Sequence, residues 1–149
     1  MACALGRGGL TWRKREGDGA TPVAAMAVLG AWLRRDRWRM PPPMPLSPRA
    51  IGPRDGWCDD PASPAYNAPL TLPSRWRAER MRREDRLYDA VVVLDWNLRA
   101  RARGRGSAIF LHVARPGYPA TEGCVAVSPR DMRRLLPLLR RGRLVRVVG

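Results

Sequence analysis

Cys124 and His112 are the two side chains of this 149-residue chain whose types and spacing suit nucleophilic chemistry. A thiol with an ordinary pKa of about 8.5 is little ionised at neutral pH, and a neighbouring imidazole that takes its proton raises its reactivity. His112 precedes Cys124 by twelve residues, and Pro116, Gly117 and Pro119 fall between them. The connection is therefore a turn-forming loop whose ends close at small entropic cost. Gly123, directly before the cysteine, lets the backbone bend and a carbonyl approach, where main-chain N–H groups of Gly123 and Cys124 can hold a developing oxyanion. The imidazole nitrogen facing away from sulfur needs an acceptor to fix its tautomer, and a main-chain carbonyl such as that of Val113 serves without a third side chain. Each residue also has an inert reading. A buried cysteine is more often a small hydrophobe, and a lone histidine at a strand end is more often a hydrogen-bonded structural residue.

The elements that must position this pair lie in the C-terminal half. Residues 88–95, with the Val91, Val92, Val93, Leu94 run, and residues 107–113 read as central strands buried on both faces. The basic, glycine-containing stretch 96–106 between them reads as an exposed connection. Residues 128–141 are the best helix candidate: Ser128 suits the N-cap, Pro129 the first helical position, Asp131 the positive end of the dipole, and Gly142 the close. Pro137 predicts a kink or an early stop near Leu136, since an interior proline removes a hydrogen bond. Residues 144–148 supply a last strand.

Upstream, residues 3–10 suit an edge strand and turn, and residues 14–22, KREGDGATP, form a loop. Residues 23–33 fit either a strand pair or a short helix, and the proline-rich stretch 34–73 should hold little regular structure. The expected fold is a single domain over residues 1–149, mainly β with one packed α-helix.

The formal charge of +15 and pI near 11.6 come almost wholly from arginine, Lys14 being the only lysine among 28 basic residues. That field attracts polyanions nonspecifically. Specific nucleic-acid recognition lacks support: no recognition helix, zinc-finger spacing or RNA-binding aromatic signature accompanies the scattered arginines, and the six tryptophans are too dispersed for a stacking platform. Cys3, Cys58 and Cys124 are too far apart for a paired-cysteine zinc motif, and His112 is the only histidine, so no metal site is expected. Cys58 reads as a buried hydrophobe or as a partner for Cys3. Asp59 and Asp60 read as turn residues, and Glu84 and Asp85 as members of an ion-pair network or, with Tyr88, as pocket residues. The opening ten residues carry no apolar run of signal-peptide type, and no stretch reaches membrane-spanning length. Nothing in the sequence assigns an oligomeric state.

The stretch 106–136, GSAIFLHVARPGYPATEGCVAVSPRDMRRLL, resembles the catalytic core of the L,D-transpeptidase (YkuD-type) family: a histidine ending a strand, a loop, a Ser/Thr-x-Gly-Cys motif, a strand and a helix. Thr121, Gly123, Cys124 and His112 fall on that motif. KREGDGATP resembles the family's Gly-Thr-Pro-containing loop, and GWCDDPASPAYN at residues 56–67 resembles a short proteobacterial branch. The resemblance implies a β-sandwich or barrel fold and a Cys124 thioester formed on peptidoglycan tetrapeptide stems. It also implies a place in the periplasm or cell envelope and no cofactor. Arg115 reads either as a fork for a stem-peptide carboxylate or as one more solvated arginine, and Tyr118 and Thr121 either line the site or serve to pack and to stabilise the turn. Three departures stand out: Glu122 where many members have histidine, Ala24 where glycine is common, and Pro137 within the helix. The chain also begins almost at its first matching strand, which fits an N-terminally trimmed copy. A noncatalytic polyanion-binding protein, or an inactive relic, is the alternative.

Overall fold

A computed structural model describes residues 1–39 and 44–149. Its N-terminal part holds β1 (Cys3–Ala4), β2 (Leu10–Thr11), β3 (Thr21–Pro22) and β4 (Ala24–Leu33). The middle holds β5 (Arg49–Ala50), β6 (Asp55–Cys58), β7 (Pro69–Thr71) and β8 (Ala78–Arg80). The C-terminal part holds β9 (Ala90–Leu94), β10 (Phe110–Val113), β11 (Val125–Val127), α1 (Pro129–Leu135) and β12 (Leu144–Val147).

The principal sheet runs β1-β11-β10-β9-β4-β12, with β5 added on β4. Both apolar runs are central, as their composition predicts: all five residues of β9 and all four of β10 are buried. Burying a side chain of the valine or leucine class is worth roughly 1.5–3 kcal/mol, so these two strands anchor the fold. Residues 23–33 resolve into one long strand rather than a pair or a helix. Its first half pairs with β12 and its second with β9, with a bulge between Val28 and Gly30. Two partners in succession, β12 along the first half and β9 along the second, explain why its sequence shows no clean period.

Side-chain alternation gives the sheet two different faces. Val92, Leu94, Leu111, Val113, Val125 and Val127 point to one core, which α1 covers with Met132 and which Leu136 joins from the turn beyond. Val91, Val93, Phe110 and Cys124 point to the other, where they meet Trp32, Trp57 and Tyr88. Trp57 belongs to a second, three-stranded sheet in the order β7-β6-β8. Two sheets across a shared core make an open sandwich, not a barrel. The second sheet also shows that stretch 34–73 holds more structure than its prolines suggest; residues 40–43 of that stretch lie outside the described residues.

The helix is shorter than residues 128–141. Ser128 Oγ accepts from the Asp131 N–H at 3.0 Å and Pro129 opens the first turn, but α1 ends at Leu135 and a single 3-10 turn, Leu136–Leu138, follows. Pro137 has no N–H to continue the ladder. Gly142, at φ 84°, closes the turn into β12, and its N–H donates to the Val28 carbonyl at 2.8 Å. Among the described residues no helix is long and apolar enough to cross a membrane.

Candidate active site

β10 and β11 run parallel, with His112 opposite Ala126. Cys124, two residues before Ala126, therefore projects from the same face as His112, diagonally across the ladder. Diagonal neighbours lie within reach of an aromatic side chain. Parallel neighbours usually need a long crossover. Here residues 114–123 suffice, because β1 and the turn after it brace them: the Thr121 N–H donates to the Leu5 carbonyl and the Arg7 N–H to the Thr121 carbonyl, both at 2.8 Å.

Thr121 also sets the backbone ahead of the cysteine. Its hydroxyl accepts from the Gly123 N–H at 3.1 Å and donates to the Cys124 carbonyl at 2.7 Å. Gly123 sits at φ 128°, and a Cβ there would lie 2.9 Å from the Ala20 carbonyl oxygen and 3.4 Å from Lys14 Nζ. No other residue fits. The Gly123 N–H, expected to face an oxyanion, is thus already engaged by Thr121.

Cys124 is buried. Its Sγ lies 3.1 Å from the Ala108 carbonyl oxygen, to which the thiol donates, and the Phe110 N–H approaches sulfur at 3.4 Å. Burial pushes the thiol pKa up to about 12, helped by the negative charge of Glu79 and opposed by the Phe110 N–H and Lys14. His112 is 4% exposed, and burial lowers its pKa to about 4, against the Val113 hydrogen bond, which raises it. Its Nδ1 lies 2.9 Å from the Val113 carbonyl oxygen. A carbonyl only accepts, so neutral His112 carries its proton on Nδ1 and leaves Nε2 as a lone-pair base. The Tyr88 ring meets the imidazole edge-on at 5.3 Å between centroids, and the Tyr88 hydroxyl donates to Glu79 at 2.7 Å.

A cavity of about 520 Å³ opens onto this face, with Cys124, His112, Tyr88, Glu79 and Lys14 in its wall. Arg115 and Thr121 line it too. Arg115 is tied to Asp85 at 3.2 Å, and Asp85 is gripped at 2.8 Å by both Arg83 Nε and Arg83 Nη2, which holds its pKa at about 2. Tyr118 is not brought to the cysteine: it faces a neighbouring apolar cavity with Val113, Ser128 and Pro129. Its φ of 53° turns the loop there. Glu84 is fully exposed, 3.8 Å from Arg37, and Glu122 pairs with Arg7 at 2.8 Å on the surface. Cys3 is exposed and Cys58 buried in β6, both as free thiols.

Sequence reasoning missed two residues of the wall. Glu79 gives no signal, standing within the short strand β8 in an arginine-rich stretch. Lys14 does: it is the one lysine where every other basic residue is arginine, and it is 4% exposed.

The model of the L,D-transpeptidase catalytic domain family (YkuD) matches residues 1–147. No curated protein and no solved structure matches the chain.

Proposed function

Because this chain belongs to the YkuD family of L,D-transpeptidase catalytic domains, we propose that it is a cysteine-dependent acyltransferase acting on peptidoglycan tetrapeptide stems, with Cys124 as nucleophile and His112 as base. The observation that carries the reading is the shared cavity: Cys124, directly before β11, and His112 in the adjacent parallel strand β10 both line it, with the imidazole lone pair on Nε2.

In this reading His112 Nε2 takes the thiol proton as sulfur attacks the carbonyl between the L-centre of diaminopimelate and the terminal D-alanine. The C–N bond then breaks, His112 returns the proton to the departing amine, and D-alanine leaves a thioester on Cys124. An amine from another stem resolves it as a crosslink, and water resolves it as carboxypeptidase action. The Val113 carbonyl holds the tautomer through both proton transfers. Arg83 and Arg115 at the rim suit the carboxylates of the stem. Family members typically work in the periplasm or cell envelope, where the charge of +15 would add nonspecific attraction to anionic wall polymers. The described residues are read as a single catalytic domain.

Intact-mass measurement after incubation with tetrapeptide muropeptides tests the reading, with a carbapenem as a second acylating probe. A mass increase on Cys124 with release of D-alanine is expected, and Cys124→Ser should abolish both. A folded sample that forms neither adduct and releases no D-alanine would leave the noncatalytic wall-binding alternative.

A further inference from the structure

Lys14 has the surroundings of a catalytic cation rather than of a surface lysine. Its side chain is 3% exposed. An ammonium carries three donors. One is taken by Asp18 and one by the Arg15 carbonyl at 3.0 Å. Asp18 is itself fixed, accepting the Arg15 N–H at 2.8 Å and the Ala20 N–H at 2.9 Å. Gly106 packs on the lysine stem so closely that a Cβ there would lie 2.8 Å from Lys14 Cγ. The loop of residues 14–22 thus aims one ammonium, by three separate restraints, at the wall that holds Cys124. Nζ stands 3.4 Å from the position a Gly123 Cβ would occupy, on the residue next to the thiol.

The reaction needs a donor there. When sulfur bonds to the acyl carbon, the carbonyl π pair moves to oxygen and a full negative charge forms beside the Gly123–Cys124 peptide. With the Gly123 N–H bonded to Thr121, the main-chain donor of the pair is the neutral Cys124 N–H, and Glu79 in the cavity wall is the wrong sign. We infer that Lys14 is an oxyanion-stabilising residue of this site beside the Cys124 N–H, its third N–H donating to the carbonyl oxygen of the acyl group as the Cys124 sulfur–carbon bond forms. When the oxygen re-forms its double bond and the amine leaves with the His112 proton, that hydrogen bond weakens. Glu79 from β8, Tyr88 and His112 from β10 line the same cavity, with Asp18 paired to the ammonium.

This inference rests on the transpeptidase reading, and two reagents separate the two. A carbapenem acylates sulfur through an oxyanion; iodoacetamide alkylates it without one. Lys14→Met should slow carbapenem acylation by about 10²–10³-fold, the usual cost of an oxyanion donor, while alkylation changes by less than about tenfold. Equal acylation of Lys14→Met and wild type, or equal losses in both reactions, would overturn the assignment. A wild type that is alkylated but never acylated would instead remove the transpeptidase reading, and the role of Lys14 with it. A second measurement needs no variant. Lys14 is the only lysine, so isotope-labelled lysine gives one side-chain resonance in the intact chain. That resonance should shift on acylation of Cys124, and an unmoved signal at full acylation would overturn the proposal.

Discussion

The Cys124 thiol lies 3.1 Å from the Ala108 carbonyl oxygen, and only the protonated sulfur can make that hydrogen bond. The resting state is therefore a neutral thiol bonded to Ala108 rather than to His112, and a neutral imidazole lining the same cavity, not a thiolate–imidazolium ion pair. With the thiol pKa near 12, thiolate absorbance should be absent at neutral pH, and iodoacetamide alkylation of Cys124 should climb with pH without levelling near 7. A plateau in the alkylation rate around pH 7 would contradict this. The burden of activation then falls on proton transfer at the moment of attack.

His112 is the only histidine, so its titration can be followed without assignment. Its folded pKa, near 4, lies below the ordinary 6.5, which makes the unfolded chain the better proton binder between those values. Stability from neutral His112 is fully present above about pH 6.5 and is lost as pH falls towards 4, on the order of 3 kcal/mol in all. Urea unfolding across that window, compared with His112→Gln, should show the loss only in the wild type. Carbapenem acylation should hold down to about pH 4 and fall below it. His112→Ala should cost about 10²–10⁴-fold at neutral pH. An acylation midpoint near 6.5 would mean the histidine is not buried as described.

Glu79 acts against the thiolate. It is half-buried, hydrogen-bonded to Tyr88, and one of the charges that raise the Cys124 pKa. Glu79→Gln should speed alkylation at a given pH, the opposite sign to any effect of Lys14→Met. Tyr88→Phe keeps the ring against His112 and removes one hydrogen bond to a carboxylate, for a stability cost of about 1–3 kcal/mol. Slower alkylation in Glu79→Gln would show that the carboxylate organises the site rather than charging it.

Gly123→Ala should be among the most damaging small substitutions. A φ of 128° is strained for alanine by about 1–3 kcal/mol, and the added methyl would press on the Ala20 carbonyl. Thermal unfolding should register the loss, and acylation should fall with it because Cys124 shifts. A fully stable, fully active variant would require the loop to carry another conformation.

The sequence made the pair legible because strands write themselves plainly: the valine run of β9 and the buried residues of β10 fix a face for His112, and the Gly123–Cys124 turn follows from a glycine no other residue can replace. Tyr118 lines the adjoining cavity rather than the Cys124 cavity, a placement that loop proximity along the chain does not reveal once a positive φ turns the backbone. β6 and β7 were hidden in proline-rich sequence because short strands take their stability from Trp57 and its neighbours, not from local propensity. Lys14 and Glu79 come from elements distant in sequence, and only the packing of the N-terminal loop and of β8 around the cavity brings them to Cys124.

Arg115 can be tested by what it should and should not change. It is exposed enough that its contact with Asp85 adds little to stability, so Arg115→Ala should unfold within about 0.5 kcal/mol of wild type. Asp85, its pKa held at about 2 by Arg83, stays ionised at neutral pH and so anchors the Arg115 fork at the rim. If that fork receives a stem carboxylate, its removal should raise KM by about tenfold or more while leaving kcat nearly unchanged, since a charge-assisted hydrogen bond to the bound substrate is lost equally in the ground and transition states. The matching substrate change is amidation of the diaminopimelate carboxylate. Wild type should discriminate against the amidated stem, and Arg115→Ala should not. If both proteins show the same ratio of kcat/KM for the two stems, Arg115 is a rim ion pair only, and carboxylate recognition passes to Arg83.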